Sequence, residues 1–241
     1  GVCGERWVAG TAWLTYEIAF SNEPTATAPA QQVVVTQPLG PNVALSTLAL
    51  LSITIPNPSA ADVQVPIPPS SFNPAVGVNE FNTVVDLRPT QSLLVRIDVK
   101  LNPTTRTLTW AFTSIDPTTG LPPFNPLVGF LPANAGGIVA FSVKPPQGLV
   151  TGTQVSDQAN VVFDAASPIS TPVWINTIDN SSPTIHVSPL AAQGGGTCTV
   201  QWLGAGAGSG IPNFSGYQWD QGRAVLAWRV RHAGTSCIVT G

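Results

Sequence analysis

Few residues in this chain could carry out acid–base or nucleophilic chemistry. The two histidines are His186 and His232, and serine hydrolysis needs an imidazole positioned beside an activated serine. The sequence contains neither a GxSxG nucleophile turn nor an HExxH zinc motif. His186 stands between Ile185 and Val187, an alternation typical of a histidine on a strand surface. We therefore predict no catalytic residue.

Paired carboxylates offer a second chemistry, because two acids held about 5–9 Å apart can hydrolyse a glycosidic bond. Asp98 alternates with Arg96 and Lys100 on one strand face, which indicates a solvated ion-pair partner. Separation along the chain says nothing about a shared cleft. The candidate acids are Glu17, Asp86, Asp98 and Asp116.

Seven tryptophans raise a carbohydrate-binding alternative, since the apolar faces of indole rings stack on sugars. Trp110 belongs to the apolar face of a strand, so we predict that it lies in the core. Exposure would decide between binding and packing for Trp7, Trp13, Trp202, Trp219 and Trp228.

Three cysteines, Cys3, Cys198 and Cys237, lack the CxxC spacing of a zinc or redox site. A disulfide between Cys198 and Cys237 and three unpaired thiols remain equal alternatives, because spacing does not fix pairing. A site built by the C-terminal tail, from His186, His232 or Cys237 with a carboxylate, would make the chain a polysaccharide or ester hydrolase.

The composition restricts the partners. Charged residues make up 9% of the 241 residues and the net charge is -3, with no basic patch apart from Arg223, Arg229 and Arg231 near the end, so we predict no nucleic-acid partner. The longest apolar run, residues 43–55, is interrupted by Ser and Thr and is shorter than the roughly 18 residues of a membrane span. We also expect no membrane insertion and no signal peptide in "GVCGERWVAG".

Period-two alternation dominates the chain. In "SLLVRIDVKL", residues 92–101, apolar and charged side chains alternate, and "NPTTR" then supplies a turn before "TLTWAFTSI". We predict that these two strands form an antiparallel hairpin. Further strands are predicted at 12–20, 32–36, 47–55, 81–87, 138–144, 153–163 and 171–178, and no amphipathic helix is predicted.

Nine or ten short strands separated by Pro- and Gly-rich turns indicate a β-sandwich, because two facing sheets bury one side of each strand. The stretch "TIDNSSPT" interrupts the strands with turn-forming residues, and Pro183 lacks the amide that a sheet strand donates. We therefore predict a domain at 1–180, a joint, and a second segment at 181–241 with strands in "TIHVSPL", "TCTVQWL" and "AVLAWRVR".

Several long blocks resemble a repeat domain of very large bacterial secreted and cell-surface proteins: "LTYEIAFSNEPTATAPAQQVVVTQPL", "DLRPTQSLLVRIDVKLNPTTRTLTWAFTSIDPTTGLPP", "LVGFLPANAGGIVAFSVKPPQGLVTGTQVSDQANVVFD" and "SPISTPVWINTIDNSSPT". The resemblance covers most of residues 11–184. "CTVQWLGAGAGSGIPNF" is similar to the opening strands of a fibronectin type III-like module, but the sequence departs from that pattern from Tyr217 onwards. The resemblance implies an all-β chain: an immunoglobulin-like antiparallel β-sandwich with a short, atypical C-terminal β segment, a partial module or a strand-adding tail.

Calcium is the one cofactor that the sequence raises. "TIDNSSPT" is partly similar to cadherin linkers, in which a carboxylate and an asparagine before a proline bind calcium between modules. Asp179 and Asn180 match that pattern. Calcium takes six to eight oxygen ligands, so a complete shell would also need Asp116 or Asp164. The predicted metal ligands are therefore Asp179, Asn180, Asp116 and Asp164.

The resemblance implies a noncatalytic structural or adhesive module of a bacterial extracellular protein, located outside the cell or on its surface. Its expected partners are the neighbouring domains of a larger chain. A carbohydrate-binding module with a polysaccharide partner and the tail-built hydrolase are the alternatives.

Overall fold

A computed structural model of the chain describes residues 6–57 and 60–182, together with the backbone of four strands at 184–187, 202–205, 215–220 and 225–229. It is 48% strand and 2% helix, which confirms the predicted all-β sandwich class. Within the described residues the one helix is a single 3₁₀ turn at Pro74–Val76, and none is long and apolar enough to cross a membrane.

The strands are numbered in chain order. They are β1 Trp7–Val8, β2 Leu14–Ser21, β3 Gln32–Pro38, β4 Ala44–Ile55, β5 Val63–Gln64, β6 Glu80–Asp86, β7 Leu94–Asn102, β8 Thr107–Ile115, β9 Gly136–Lys144, β10 Gln154–Asp157, β11 Asn160–Phe163, β12 Ile169–Ser170, β13 Trp174–Ile178, β14 Thr184–Val187, β15 Trp202–Ala205, β16 Ser215–Asp220 and β17 Val225–Arg229.

Chain contacts divide the protein into two compact units. The sandwich unit comprises residues 11–147 and 155–175, and the terminal unit comprises residues 1–10, 148–154 and 176–241. The predicted boundary at residue 180 stays a prediction.

Two large sheets form the sandwich unit. One has the order β12-β11-β3-β8-β7-β6 and the other the order β2-β9-β4-β5. The predicted hairpin is confirmed: β7 and β8 pair antiparallel from Leu94↔Ile115 to Asn102↔Thr107. Asn102 closes its turn, since the side-chain Oδ1 accepts hydrogen bonds from the amides of Thr104 at 3.0 Å and Thr105 at 3.1 Å.

Aromatic side chains fill the space between these sheets. Phe20 of β2 lies 5.3 Å from Phe112 of β8, centroid to centroid, and Phe112 lies 5.9 Å from Phe130. We name Phe20, Phe112 and Phe130 the aromatic cluster. Trp110 and Phe141 also join the two sheets, at 5.8 Å. All five rings are buried, and burying each contributes about 2–3 kcal/mol of hydrophobic free energy.

Two of the predicted strands differ from the observed ones because the chain passes from one sheet to another there. The predicted strand at 153–163 is divided into β10, in the three-stranded sheet β1-β13-β10, and β11, in the six-stranded sheet. The predicted strand at 171–178 begins late as β13, while β12 precedes it in the six-stranded sheet. Pro172, between β12 and β13, has no amide for a sheet ladder.

In the terminal unit, β1 runs parallel to β13 through Trp7↔Thr177 and Val8↔Ile178. Strands β14 and β15 pair antiparallel, as do β16 and β17. The last pair occupies the stretch after Tyr217 in which the sequence departs from a fibronectin type III-like pattern, so this stretch forms a hairpin of its own.

Candidate functional site

The four predicted calcium ligands hold local backbone in place. Asp179 Oδ1 accepts hydrogen bonds from the amide and hydroxyl of Ser181, at 3.1 and 2.6 Å. Asn180 fastens three segments of the terminal unit: its Oδ1 accepts from the Gly10 amide at 2.9 Å, its Nδ2 donates to the Leu149 carbonyl at 2.6 Å, and its amide donates to Thr151 Oγ1 at 2.9 Å.

Gly10 is required at this fastening, because a Cβ there would lie 2.5 Å from Asn180 Nδ2. This close contact accounts for a glycine at position 10 without a bound metal ion. It also gives Asn180 a structural role in the joint that the sequence predicted.

In the sandwich unit, Asp116 accepts from the amide and hydroxyl of Thr118 at 2.8 and 2.5 Å, and these bonds hold the pKa of Asp116 below its usual range. Asp164 Oδ1 accepts from the amides of Gln31 and Gln32 at 2.9 and 2.8 Å. Among the described residues, no three His, Cys, Asp or Glu side chains gather as a metal site would require. The calcium site stays a prediction.

Three acidic side chains on the sandwich surface form ion pairs with basic residues, either two positions away in the chain or on an adjacent strand. Asp98 contacts Arg96 at 3.0 Å, as its alternation predicted, whereas Lys100 pairs with Glu80 of the adjacent strand at 2.6 Å. Asp86 contacts Arg88 at 2.6 Å, and hydrogen bonds from Arg88 lower the pKa of Asp86 to about 2. These exposed pairs are solvated partners of basic residues, and Glu17 is likewise exposed.

The tail candidates lie outside the described side chains. The backbone of His186 belongs to β14, while His232, Cys3, Cys198 and Cys237 are not among the described residues. The tail-built hydrolase and the cysteine alternatives therefore stay predictions.

The tryptophans divide into core and surface. Trp110 is fully buried, which confirms its predicted place in the core. Trp13 is 53% exposed and Trp174 is 45% exposed, and the Lys144 ammonium lies 4.6 Å from the centroid of the Trp13 ring. Trp7 is half-buried. The side chains of Trp202, Trp219 and Trp228 are not described.

A buried polar cluster is the feature that the sequence analysis missed. Gln37 of β3 is completely buried. Its Nε2 donates to Asp157 Oδ1 at 2.6 Å and to the Pro38 carbonyl at 2.8 Å, while its Oε1 has no hydrogen-bond partner among the described residues. Burial raises the pKa of Asp157 to about 6. Burial, with the charge of Asp157, also raises the pKa of Tyr16. We name Tyr16, Gln37 and Asp157 the polar cluster.

A sequence signal for this cluster exists in β3. Its inward positions are Val33, Val35 and Gln37, so the alternation puts a carboxamide where a third apolar residue belongs. Such a residue needs a buried partner. The partner, Asp157, is 120 positions away, which the sequence does not reveal.

Comparisons with models of protein families, with curated proteins and with solved structures find no match for this chain.

Proposed function

We propose that this chain is a noncatalytic structural module, an immunoglobulin-like sandwich that acts as a spacer or adhesive segment in a multidomain bacterial protein outside the cell. The observation that carries the proposal is the aromatic interior of the sandwich unit. Fully buried aromatic side chains from both sheets meet there, including Trp110, Phe112 and Phe141. An interior packed in this way serves mechanical stability.

The strand pairing supports the same role. Strand β2 is matched to β9 along its whole length, from Leu14↔Val143 to Ser21↔Gly136, and β3 to β8 from Gln32↔Thr113 to Pro38↔Thr107. In an antiparallel ladder each hydrogen bond lies across the strands. A pull along the strands therefore loads many bonds together.

The long connection between β8 and β9 is also held in place. The Gln31 side-chain amide lies within hydrogen-bond distance of three carbonyls of this connection, those of Pro123, Asn125 and Val128, at 3.1, 2.9 and 2.9 Å. Side-chain bonds of this kind replace the backbone pairing that a loop lacks. A fixed loop suits a module that must keep its shape between neighbouring domains.

A hydrolase screen on the purified chain tests the proposal. We expect no turnover of polysaccharide or ester substrates and one cooperative unfolding transition of the sandwich unit. Turnover that is abolished by His186→Ala but retained in the surface control Glu17→Gln would overturn the proposal in favour of a site in the tail.

Carbohydrate binding is the second candidate, favoured by the two exposed indoles of Trp13 and Trp174. The Lys144 ammonium lies 4.6 Å from the centroid of the Trp13 ring, a cation–π contact that restrains the indole, and a restrained ring stacks on a sugar at a lower entropic cost.

Pull-down on insoluble cellulose, chitin and β-glucan tests this candidate. If sugar binding occurs, we expect Trp13→Ala or Trp174→Ala to weaken it about tenfold, the loss of one stacking contact. Phe124→Ala is the matched control, because Phe124 is a fully exposed aromatic residue of the β8–β9 connection. Retention of binding in both tryptophan variants, or its absence in the wild type, would exclude the two indoles as a sugar platform.

A further inference from the structure

One buried oxygen of the polar cluster, Gln37 Oε1, has no hydrogen-bond partner among the described residues. Both hydrogens of Gln37 Nε2 have acceptors, namely Asp157 Oδ1 and the Pro38 carbonyl. The opposite end of the same amide, Oε1, is buried and has no donor among the residues that the structure describes. A buried carbonyl oxygen without a donor is destabilising. Gln37 Oε1 therefore lacks a proton donor.

A protonated carboxyl group is suited to supply it. An ionised Asp offers acceptors alone, whereas a protonated Asp has one hydroxyl donor and keeps its carbonyl acceptor. An acid and a carboxamide can then join through two hydrogen bonds in one ring: Gln37 Nε2 donates to Asp157 Oδ1, and Asp157 Oδ2 donates to Gln37 Oε1. The first of these bonds is present.

We propose that Asp157 and Gln37 form an acid-operated latch, in which a proton taken from solvent by Asp157 Oδ2 is donated to Gln37 Oε1 and closes a two-bond ring between β10 and β3. Loss of the proton removes the second bond and leaves a half-buried carboxylate and a buried amide oxygen with no hydrogen bond between them.

The surroundings favour the protonated form. Burial raises the pKa of Asp157, as expected for a carboxyl group removed from water. Tyr16 faces it from β2, and the charge of Asp157 raises the pKa of Tyr16. Strands β3, β8, β11 and β13 contain no charged residue.

The charged side chains of the remaining neighbouring elements are engaged elsewhere. The Arg106 guanidinium of the β7–β8 turn donates to the carbonyls of Leu39, Gly40 and Val43. Lys144 of β9 lies over Trp13, and Glu17 of β2 is on the exposed face. Among the described side chains, then, none of these cations is committed to the Asp157 carboxyl group.

The latch links a corner of the fold to the core. Asp157 ends β10, and two residues separate it from β11, the strand that pairs with β3 through Asn160↔Thr36. Closing the ring would fasten this corner to Gln37 below the pKa of Asp157 and loosen it above. The folded sandwich unit would thus be more stable in a mildly acidic medium, whatever the module binds.

Asp157→Asn separates the two forms of the cluster. Asparagine has the shape of the protonated acid, and its Nδ2 can donate permanently to Gln37 Oε1. We expect the melting temperature of the wild-type chain to be about 5 °C higher at pH 5 than at pH 8, and the variant to remove that difference by melting higher at pH 8. The variant is compared with the wild type so that any other titrating group of the chain affects both proteins alike.

Asp98→Asn is the matched control, since it makes the same change in an exposed ion pair; its melting temperatures should differ between the two pH values as in the wild type. Carbon-13 NMR of the Asp157 carboxyl group gives a second measurement, with an expected midpoint near pH 6. A lower melting temperature of Asp157→Asn than of wild type at pH 8, or an NMR midpoint near 4, would overturn the latch, because either result identifies the carboxylate as the native form.

Discussion

The aromatic cluster and the polar cluster both lie inside the sandwich unit, yet they stabilise it in different ways. Phe20, Phe112 and Phe130 carry no ionisable group and pack through their rings. The polar cluster contains a half-buried carboxyl group bonded to a buried amide. The comparison teaches that one interior can hold a pH-independent part and a proton-dependent part.

The sign of the proton dependence follows from the pKa of Asp157, which burial raises from 3.8 to about 6. Because the folded value is the higher one, the stability contributed by protonation is fully present below about pH 4 and is lost as the pH rises through about 6. The shift corresponds to about 3 kcal/mol. Asp86 has the opposite sign: its pKa is lowered to about 2, so its contribution is lost only as the pH falls towards that value.

The largest effect is expected from the aromatic cluster. Phe112→Ala would leave a cavity beside Phe20 and Phe130 and cost about 3–5 kcal/mol of unfolding free energy. Urea denaturation should give the same loss at pH 5 and pH 8. The exposed Phe124→Ala is the control and should change stability by less than about 0.5 kcal/mol. A strongly pH-dependent loss in Phe112→Ala would break the distinction between the clusters.

An intermediate effect is expected from Gln37→Leu, which keeps the size of the side chain but removes its hydrogen bonds to Asp157 and to the Pro38 carbonyl. The closed latch has two hydrogen bonds between Gln37 and Asp157, whereas the open form has one. We expect a loss of about 1–3 kcal/mol at pH 5 and a smaller loss at pH 8. Equal losses at both pH values, measured by urea denaturation, would contradict a titrating partner.

The smallest effect is expected at the surface. Glu80→Gln removes the ion pair with Lys100, whose side chains are both more than half exposed. Such pairs contribute at most about 1 kcal/mol and are screened by salt. Urea denaturation should show little change at either pH, and less still in 0.5 M salt. A large loss would mean that surface charge, rather than the interior, governs the stability of the sandwich.

The strands were largely predictable from the sequence because alternation is a local property. The β7–β8 hairpin and the burial of Trp110 were confirmed, since each depends on side chains within about ten residues. The division at Gln158 and Ala159 was not predicted. There the alternation continues across a change of sheet, and sheet membership depends on distant strands.

The candidate site was less predictable. The structure gives Asp179 and Asn180 hydrogen-bonding roles within their own unit, while the interdomain joint and the calcium site stay predictions. The local sequence does not distinguish Asp157, because an aspartate at the end of a strand is common. Its significance arises from Gln37, which reaches it from another strand.

The sequence by itself determined that this chain is a low-charge, all-β protein whose strands bury alternate side chains, because alternation depends only on residues close together in the chain. The tertiary structure alone decided which sheet each strand joins, which tryptophans reach the surface and which carboxyl group bonds to the buried Gln37 amide. Those outcomes depend on contacts between residues far apart in the chain, where packing and desolvation, rather than local periodicity, set the free energy.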